Sequence, residues 1–549
     1  MKTFQPKITT VLKNYTKQDL LKDVIAGIIV AIIALPLSIA LAIASGVGPE
    51  RGLYTAIVAG FVIALLGGSR VNISGPTAAF ATIVAGIVAQ YGVEGLALAT
   101  IMAGVILILM GVCRLGTLIK YIPYPITTGF TSGIAVTIAI GQLKDFLGLT
   151  YPAGTVNVET GEKAANVAKY IGTWNVQALL VGLLGLAVLI FFPKINKRIP
   201  PSLIAVLVGV LVVKFGKLEV NTIGDLYTIN AGLPAFQLPE FSFSLLRELL
   251  PSAFTIAILA GIESLLSCVV SDGMISSRHN SNTELIAQGA GNICSALFGG
   301  IPATGAIART AANVKNGGRT PIAGMVHAAT LLLILAVLMP YAALIPMPII
   351  AAILFMVAYN MCEWRHFVSL CRTAPKSDII VLVITFALTV VFDLVVAIEV
   401  GMLLTAFLFM KRMAEVTELR KWTEAEERPA DAEDLHVRKA VPPRTEVYEI
   451  NGPMFFAAAD KFMRIPIQDK VRVLIIRMRN VPAMDATALR NLTNICHTCE
   501  KRGITLLLSH VNEQPMKVMK KAGFDRLVGE ENLCGNIDEA LARAASLVR

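Results

Sequence analysis

Hydrophobic residues make up 55% of the 549-residue chain, charged residues only 16%, and mean hydropathy is +0.68, a composition that excludes a soluble globular protein. The formal net charge of +10 calls for no nucleic-acid partner, because Lys and Arg collect in short loops between apolar runs, where the positive-inside rule puts them. Eight cysteines are scattered, and Cys113, Cys268, Cys294, Cys362 and Cys371 lie in or beside apolar runs; this reads as packing and not as a disulfide framework.

Residues 1–22 carry Lys2, Lys7, Lys13, Lys17 and Lys22 against Asp19 and lack a small-residue cleavage site, so they are expected to be a retained cytoplasmic segment and not a signal peptide. Apolar segments then follow near 24–46, 53–68, 77–90, 95–113, 126–143, 176–193, 202–215, 252–271, 283–298, 306–314, 321–340, 346–360, 377–393 and 396–411, fourteen in all. Several are too short to cross roughly 30 Å of hydrocarbon unaided and are expected to be half-helices or tilted pieces in a bundle. An even count with a cytoplasmic start returns the chain to the cytoplasm. The loops this places inside hold Arg114 and Lys120; Lys194, Lys197 and Arg198; Arg278; Lys315 and Arg319; Arg365, Arg372 and Lys376; and Lys411 and Arg412. The transport domain is expected over 23–413, in the plasma (inner) membrane.

Two polar, Gly-rich stretches interrupt the apolar run: Ser74-Gly75-Pro76-Thr77, and Thr304 through Arg309. Non-helical backbone at membrane depth is tolerated only where it is buried in protein or lines a cavity, so the two breaks mark a binding site. Gly67-Gly68 precedes the first and Gly299-Gly300 the second, and the motifs fall in the third and tenth segments, seven apart. Seven is odd, so the halves are inverted in the membrane. Two half-helix N-termini then face one cavity, and their N–H groups and dipoles suit an anion. Arg309 adds a full positive charge near the start of the second half-helix.

After Glu415 the character changes. Glu418, Glu424, Glu426, Glu427, Asp431, Glu433 and Asp434 form a polar linker, placed at 414–437, before a domain at 438–549. Runs at 446–450, 471–477 and 504–509 read as strands, and 486–502 and 514–522 as helices, which makes a small α/β domain.

These residues carry a resemblance. Ala34-Leu35-Pro36-Leu37, the run 44–55 with Gly48-Pro49-Glu50-Arg51-Gly52, Ser74-Gly75-Pro76-Thr77, Asp272-Gly273, Arg278-His279-Asn280, Glu284-Leu285, Gln288-Gly289, 299–310 and 392–398 resemble the sulfate permease (SulP) family of anion transporters over nearly the whole chain. Gly452-Pro453-Met454-Phe455-Phe456-Ala457 and Asp485-Ala486-Thr487 resemble the STAS domain that closes many members. The resemblance implies a polytopic α-helical membrane protein of about fourteen segments in a seven-plus-seven inverted repeat, with core and gate domains working as an elevator and a cytoplasmic STAS domain. It also implies a homodimer, a cytoplasmic protein partner for STAS, and no enzymatic cofactor. The anion would bind between the third and tenth helices, on Ser74, Gly75, Thr77 and Ala78 and on Thr304, Gly305, Ala306, Ala308 and Arg309.

Glu263 lies midway along an apolar segment, where an ionisable group is costly and a functional role is the first reading; an ion pair with Arg309 is the alternative. In sodium-coupled bicarbonate transporters of this family the matching position is Asp, one turn before a hydroxyl that helps to bind sodium. Here the coupling set is Glu263, Ser267 and Gly305, and the family's further Thr appears as Ile307. The longer carboxylate and the lost hydroxyl leave H⁺ and Na⁺ both open as coupling ions. Ser74, Thr77 and Thr304 are read equally as helix caps. His327 and Asp393 are expected to be polar contacts between helices. Thr487 matches a phosphorylated hydroxyl of soluble STAS proteins and is read first as a helix N-terminal residue. Cys496-His497-Thr498-Cys499 has metal or redox spacing, with no second pair, and is expected to be a surface coincidence. An uncoupled exchanger or channel, and a sensor signalling through STAS, stand beside secondary active transport. Sulfate, bicarbonate and small dicarboxylates all suit such a site.

Overall fold

The computed structural model describes residues 4–117, 123–152, 155, 159–196, 199–228, 232–240, 242–392, 394–422, 441–458 and 470–548. Lys120, Lys197, Arg198, Asp393 and the linker acids from Glu424 to Asp434 lie outside the described residues. The chain divides into two compact units, 1–403 and 404–549.

The first unit is helical. Its long elements are α1 (Lys17–Ala44), α2 (Pro49–Leu66), α3 (Ala81–Val112), α4 (Tyr124–Leu147), α5 (Val176–Ile195), α6 (Pro201–Gly216), α7 (Phe243–Ile275), α8 (Ser281–Leu297), α9 (Ile307–Lys315), α10 (Pro321–Ala342), α11 (Met347–Cys362), α12 (Lys376–Val391) and α13 (Leu394–Val416). At Gly92 in α3 the backbone turns to φ 67°, ψ −171°, a left-hand-side conformation that glycine adopts without a Cβ clash, so α3 is two segments meeting at a kink. With that division each of the fourteen apolar segments read from the sequence has its helix. α1 starts where the Thr16 hydroxyl and Asp19 carboxylate cap each other's backbone N–H groups. Proline stands at the first turn of α2, α4, α6, α10 and α11, where its missing N–H costs no hydrogen bond.

The helices form two packed groups. In one, α8 lies against α2 and α3, α7 against α3 and α9, and α10 against α1 and α2. In the other, α11 lies against α4 and α5, α12 against α4, and α5 against α6. α3 and α8 approach through facing glycines: a Cβ on Gly104 would come within 2.7 Å of the Gly289 carbonyl. Small residues thus let the two backbones meet, the usual device where lipid offers no hydrophobic drive. Leu180, Leu183 and Ile190 on α5, and Leu207 and Leu211 on α6, face outward. Such a surface suits acyl chains and not water. Asp23, fully buried on α1, accepts from the Arg319 N–H at 2.8 Å, from the Thr320 hydroxyl, and from Tyr15 at 3.0 Å, so one carboxylate caps the entry to α10.

The second unit holds a five-stranded sheet in the order β3 (Glu418–Lys421), β4 (Thr445–Asn451), β5 (Val473–Asn480), β6 (Thr505–Ser509), β7 (Leu533–Cys534), counting from the β1 and β2 described below. β3 and β4 are antiparallel and the rest parallel. Tyr448, Ile450, Leu474, Ile476, Leu506 and Leu508 point to one face, and Val447, Val473, Ile475 and Leu507 to the other. α14 (Ala486–Lys501) and α15 (Glu513–Lys521) supply the first face through Leu492, Ile495 and Met519. α16 (Ile537–Val548) covers the second face with Ala540, Leu541 and Ala544. Glu418, counted from the sequence as linker, begins an edge strand; four residues with a charged pattern carry no strand signal until β4 pairs with them.

Cys496 and Cys499 are buried in the first of these cores, at 7% and 1% exposure, which replaces the expected surface coincidence with packing. Burial pushes the Cys499 thiol up to about 11. The thiolate is therefore scarce at neutral pH, and Cys499 is expected to resist maleimide at pH 7 in the folded protein and to react only on unfolding or in strong base. Mass spectrometry of the labelled protein checks this; rapid native labelling at pH 7 would contradict the packing.

Candidate functional site

Between α2 and α3, and again between α8 and α9, the chain leaves the helical path for two residues of strand: β1 (Ser74–Gly75) and β2 (Thr304–Gly305). They pair antiparallel, Ser74 with Gly305 and Gly75 with Thr304. The Ala306 N–H donates to the Ile73 carbonyl at 2.8 Å, extending the ladder. Antiparallel pairing makes the helices that follow enter the crossing from opposite sides, as the inverted repeat requires. After β1 a short 3-10 turn (Ala78–Phe80) leads into α3, and after β2 the helix α9 begins at once. Neither Thr77 nor Ala306 caps its helix with a side chain. No side chain therefore competes for the first N–H groups of either half-helix, although Phe80 N–H already donates to the Thr77 carbonyl at 3.3 Å.

Buried polar side chains hold this crossing in place. Asn292 donates to the Ala303 carbonyl at 2.9 Å and accepts the Ala303 N–H at 2.8 Å. The Thr55 hydroxyl accepts from the Ile301 N–H at 2.7 Å, and Thr310 accepts from the Ile73 N–H at 3.0 Å. Asn72 Oδ1 takes the hydroxyls of Ser267, at 2.7 Å, and Thr310, at 3.0 Å. Glu284 Oε2 caps the N–H groups of Gly68 and Ser69. Asn292, Thr55, Thr310 and Glu284 satisfy backbone that the broken helices leave open, and Asn72 fixes Thr310 for that role, which is why irregular chain survives here.

Arg309 is the third residue of α9 and only 3% exposed. Its Nη2 donates to the Pro76 carbonyl at 2.6 Å, joining the second half-helix to the first. Nη1 is buried with no hydrogen-bond partner. A Cβ on residue 75 would lie 2.5 Å from Nη1, so glycine at that position makes room for the guanidinium. Glu263, partly buried on α7, accepts the Thr77 hydroxyl at 2.8 Å. No ion pair joins Glu263 to Arg309 among the described residues; each instead contacts the first break, at Thr77 and at Pro76.

The other expected site residues sort by reach. Thr77 and Ala306 are partly buried, and Ile307 and Ala308 are exposed at the start of α9. Ser74, Gly75, Ala78, Thr304 and Gly305 are buried. The Thr304 hydroxyl donates to the Ala260 carbonyl of α7 at 2.7 Å, so that residue offers the site only its backbone. Ser267 points to Asn72 and not to Glu263, although the two share α7 one turn apart. His327 is fully buried with neither ring nitrogen hydrogen-bonded, which corrects the expected polar contact between helices. Thr487 is exposed in the first turn of α14, whose cap is Asp485, accepting from Ala488 at 2.8 Å. Asn72, Asn292 and Thr310 were missed by reasoning from the sequence. The signal that could have found them is the amide or hydroxyl side chain standing in an otherwise apolar run.

Paired half-helices crossing at an antiparallel ladder inside a helical bundle, with a separate α/β unit after it, define a polytopic membrane transporter. Residues 20–385 match the sulfate permease family and residues 436–540 the STAS domain, and the chain belongs to that family. It is 41% identical over 536 residues to YvdB of Bacillus subtilis (strain 168), provisionally named a sulfate transporter, covering 96% of this chain and 98% of that one. It is 32% identical to the bicarbonate transporter BicA of Synechocystis, covering 90% and 89%. Among solved structures, SLC26A9 superposes with a TM-score of 0.87 at 19% identity, covering 98% of this chain and 92% of that one, which shows the shared fold. The transmembrane domain of a cyanobacterial BicA matches at 32% identity with a TM-score of 0.62, covering 71% and 98%.

Proposed function

We propose that this protein is a secondary active transporter of a small anion, such as bicarbonate, sulfate or a dicarboxylate, bound between the two half-helices. One observation carries the reading: a buried guanidinium with Nη1 unpartnered, beside two helix N-termini that no side chain caps. That arrangement leaves a positive potential that no ion pair to Arg309 neutralises among the described residues, and a bound anion would supply the counter-charge. Names of relatives for sulfate and bicarbonate transport support the class.

The two helix groups support elevator-type alternating access, in which the group holding both breaks moves against the other. Glu263 is the coupling residue: its bond to Thr77 links a carboxyl to the first half-helix, so an anion and a proton or Na⁺ at Glu263 compete for or share one potential. The Ser267 hydroxyl, spent on Asn72, and Ile307 in place of a hydroxyl favour H⁺. The protein would act in the plasma membrane as a homodimer, with N-terminus and STAS domain cytoplasmic. Thr487 is then a surface hydroxyl open to regulation or to a protein partner. Uptake of labelled bicarbonate, sulfate and succinate into proteoliposomes, with H⁺ and Na⁺ gradients imposed separately, tests the reading; no uptake of any anion under either gradient would overturn it.

Truncation from about Arg438 onward is expected to leave anion binding by the bundle intact while altering transport rate or dimer behaviour, because the α/β unit has its own two-sided core. Anion titration of the truncated protein checks it, and complete loss of binding would place the second domain in the site.

A further inference from the structure

Glu284 and Gln288, one turn apart on α8, are fully buried and touch the first break. Every partner of the Glu284 carboxylate is a donor. Oε2 takes Gly68 N–H at 2.9 Å and Ser69 N–H at 3.2 Å; Oε1 takes Asn72 Nδ2 at 2.8 Å, Ser264 Oγ at 3.1 Å and Gln288 Nε2 at 3.1 Å. The carboxylate decides which end of the Gln288 amide faces it. With the amide reversed, a carbonyl oxygen would stand 3.1 Å from a carboxylate oxygen, two acceptors without a proton between them. So Nε2 is held on this side, where its two protons are shared among Glu284 Oε1, Ser264 Oγ at 2.8 Å and Ser74 Oγ at 3.0 Å, and it can accept a proton from none of them.

Ser74 has one hydroxyl proton, and its oxygen is already accepting from Gln288. The proton is therefore left for an acceptor. Ser74 is 2% exposed and sits in the ladder opposite Gly305, beside Gly75, whose Cα faces Arg309 Nη1. Gln288 Oε1, pointing away from the carboxylate, is buried without a partner, as is Arg309 Nη1.

We propose that Glu284 and Gln288 are positioning residues: the carboxylate orients the amide, the amide orients the Ser74 hydroxyl, and Ser74 is presented to the bound anion only as a hydrogen-bond donor. The inference rests on the anion-transport reading and names the oxyanion edge, an acceptor without its own proton, as the chemistry selected at this point.

The test is calorimetric titration of the purified full-length protein with sulfate and, separately, with bicarbonate, for wild type, Gln288→Met, Ser74→Ala and the double variant. Met keeps the length of Gln and removes its donors. Each single change is expected to weaken binding about tenfold, the worth of one hydrogen bond to a charged group. The double variant is expected to bind no more weakly than the weaker single one, because both remove the same bond. A purely structural role would lower the fraction of protein that binds and leave the affinity of that fraction unchanged. Unchanged affinity in Gln288→Met, or strictly multiplied losses in the double variant, would overturn the inference. Should Gln288→Met not fold, Ser74→Ala decides alone, and wild-type affinity in it is equally fatal. Wild type that binds neither anion removes the transport reading itself, which separates the two failures.

Discussion

Arg309→Ala is expected to reduce anion uptake by about two orders of magnitude while the protein still purifies as a folded, monodisperse species. Among the described residues at the crossing the guanidinium supplies the full positive charge, tied by Nη2 to Pro76 and with Nη1 unpartnered. Removing a buried charge partner of an ionic ligand typically costs about 2–5 kcal/mol, or roughly 30-fold to several-thousandfold in affinity. Folding should tolerate the change better than function does, because the ladder, Asn292, Thr55 and Thr310 hold the two breaks together without Arg309. Arg309→Lys should recover part of the uptake, since the charge returns without the planar fork. The check is initial-rate uptake in proteoliposomes alongside size-exclusion profiles, and wild-type kinetics in Arg309→Ala would remove Arg309 from the site.

Glu263→Gln is the second large effect, and it separates coupling from binding. Under proton coupling, wild-type uptake rises as external pH falls at fixed internal pH, because protonation at Glu263 removes a negative charge that competes with the anion. Gln copies the protonated carboxyl and can still accept from the Thr77 hydroxyl. The variant should therefore keep anion exchange and lose its response to an inward H⁺ gradient. Uptake measured with stepped external pH, with and without Na⁺, gives the answer. Wild-type uptake that ignores pH and rises steeply with Na⁺ would make Glu263 a sodium ligand.

Much of this architecture was legible in the chain. Segment lengths, loop charges and two Gly-rich breaks seven segments apart gave the bundle and its inverted repeat, because a bilayer allows only helices to span and forces every exception to be functional. Runs rich in β-branched and aliphatic residues gave three of the strands of the second unit, but not β3, whose charged residues pair only because β4 offers an edge.

At the site, the order of residues alone says which side chains stand at the breaks: Ser74, Gly75 and Thr77, Thr304 to Arg309, and a carboxylate at 263. Which of them face one another follows from the packing of the folded chain. Glu263 and Ser267 are one turn apart and part company, one to Thr77 and the other to Asn72. Glu263 and Arg309, whose pairing was the alternative to a functional carboxylate, each bind the first break instead. Glu284 and Gln288 looked like motif letters until folding brought them to Gly68 and Ser74, more than 200 residues away in the chain. The physical reason is that a side chain's hydrogen-bond partner is chosen by direction and distance across packed helices, whereas sequence spacing constrains only neighbours on the same helix.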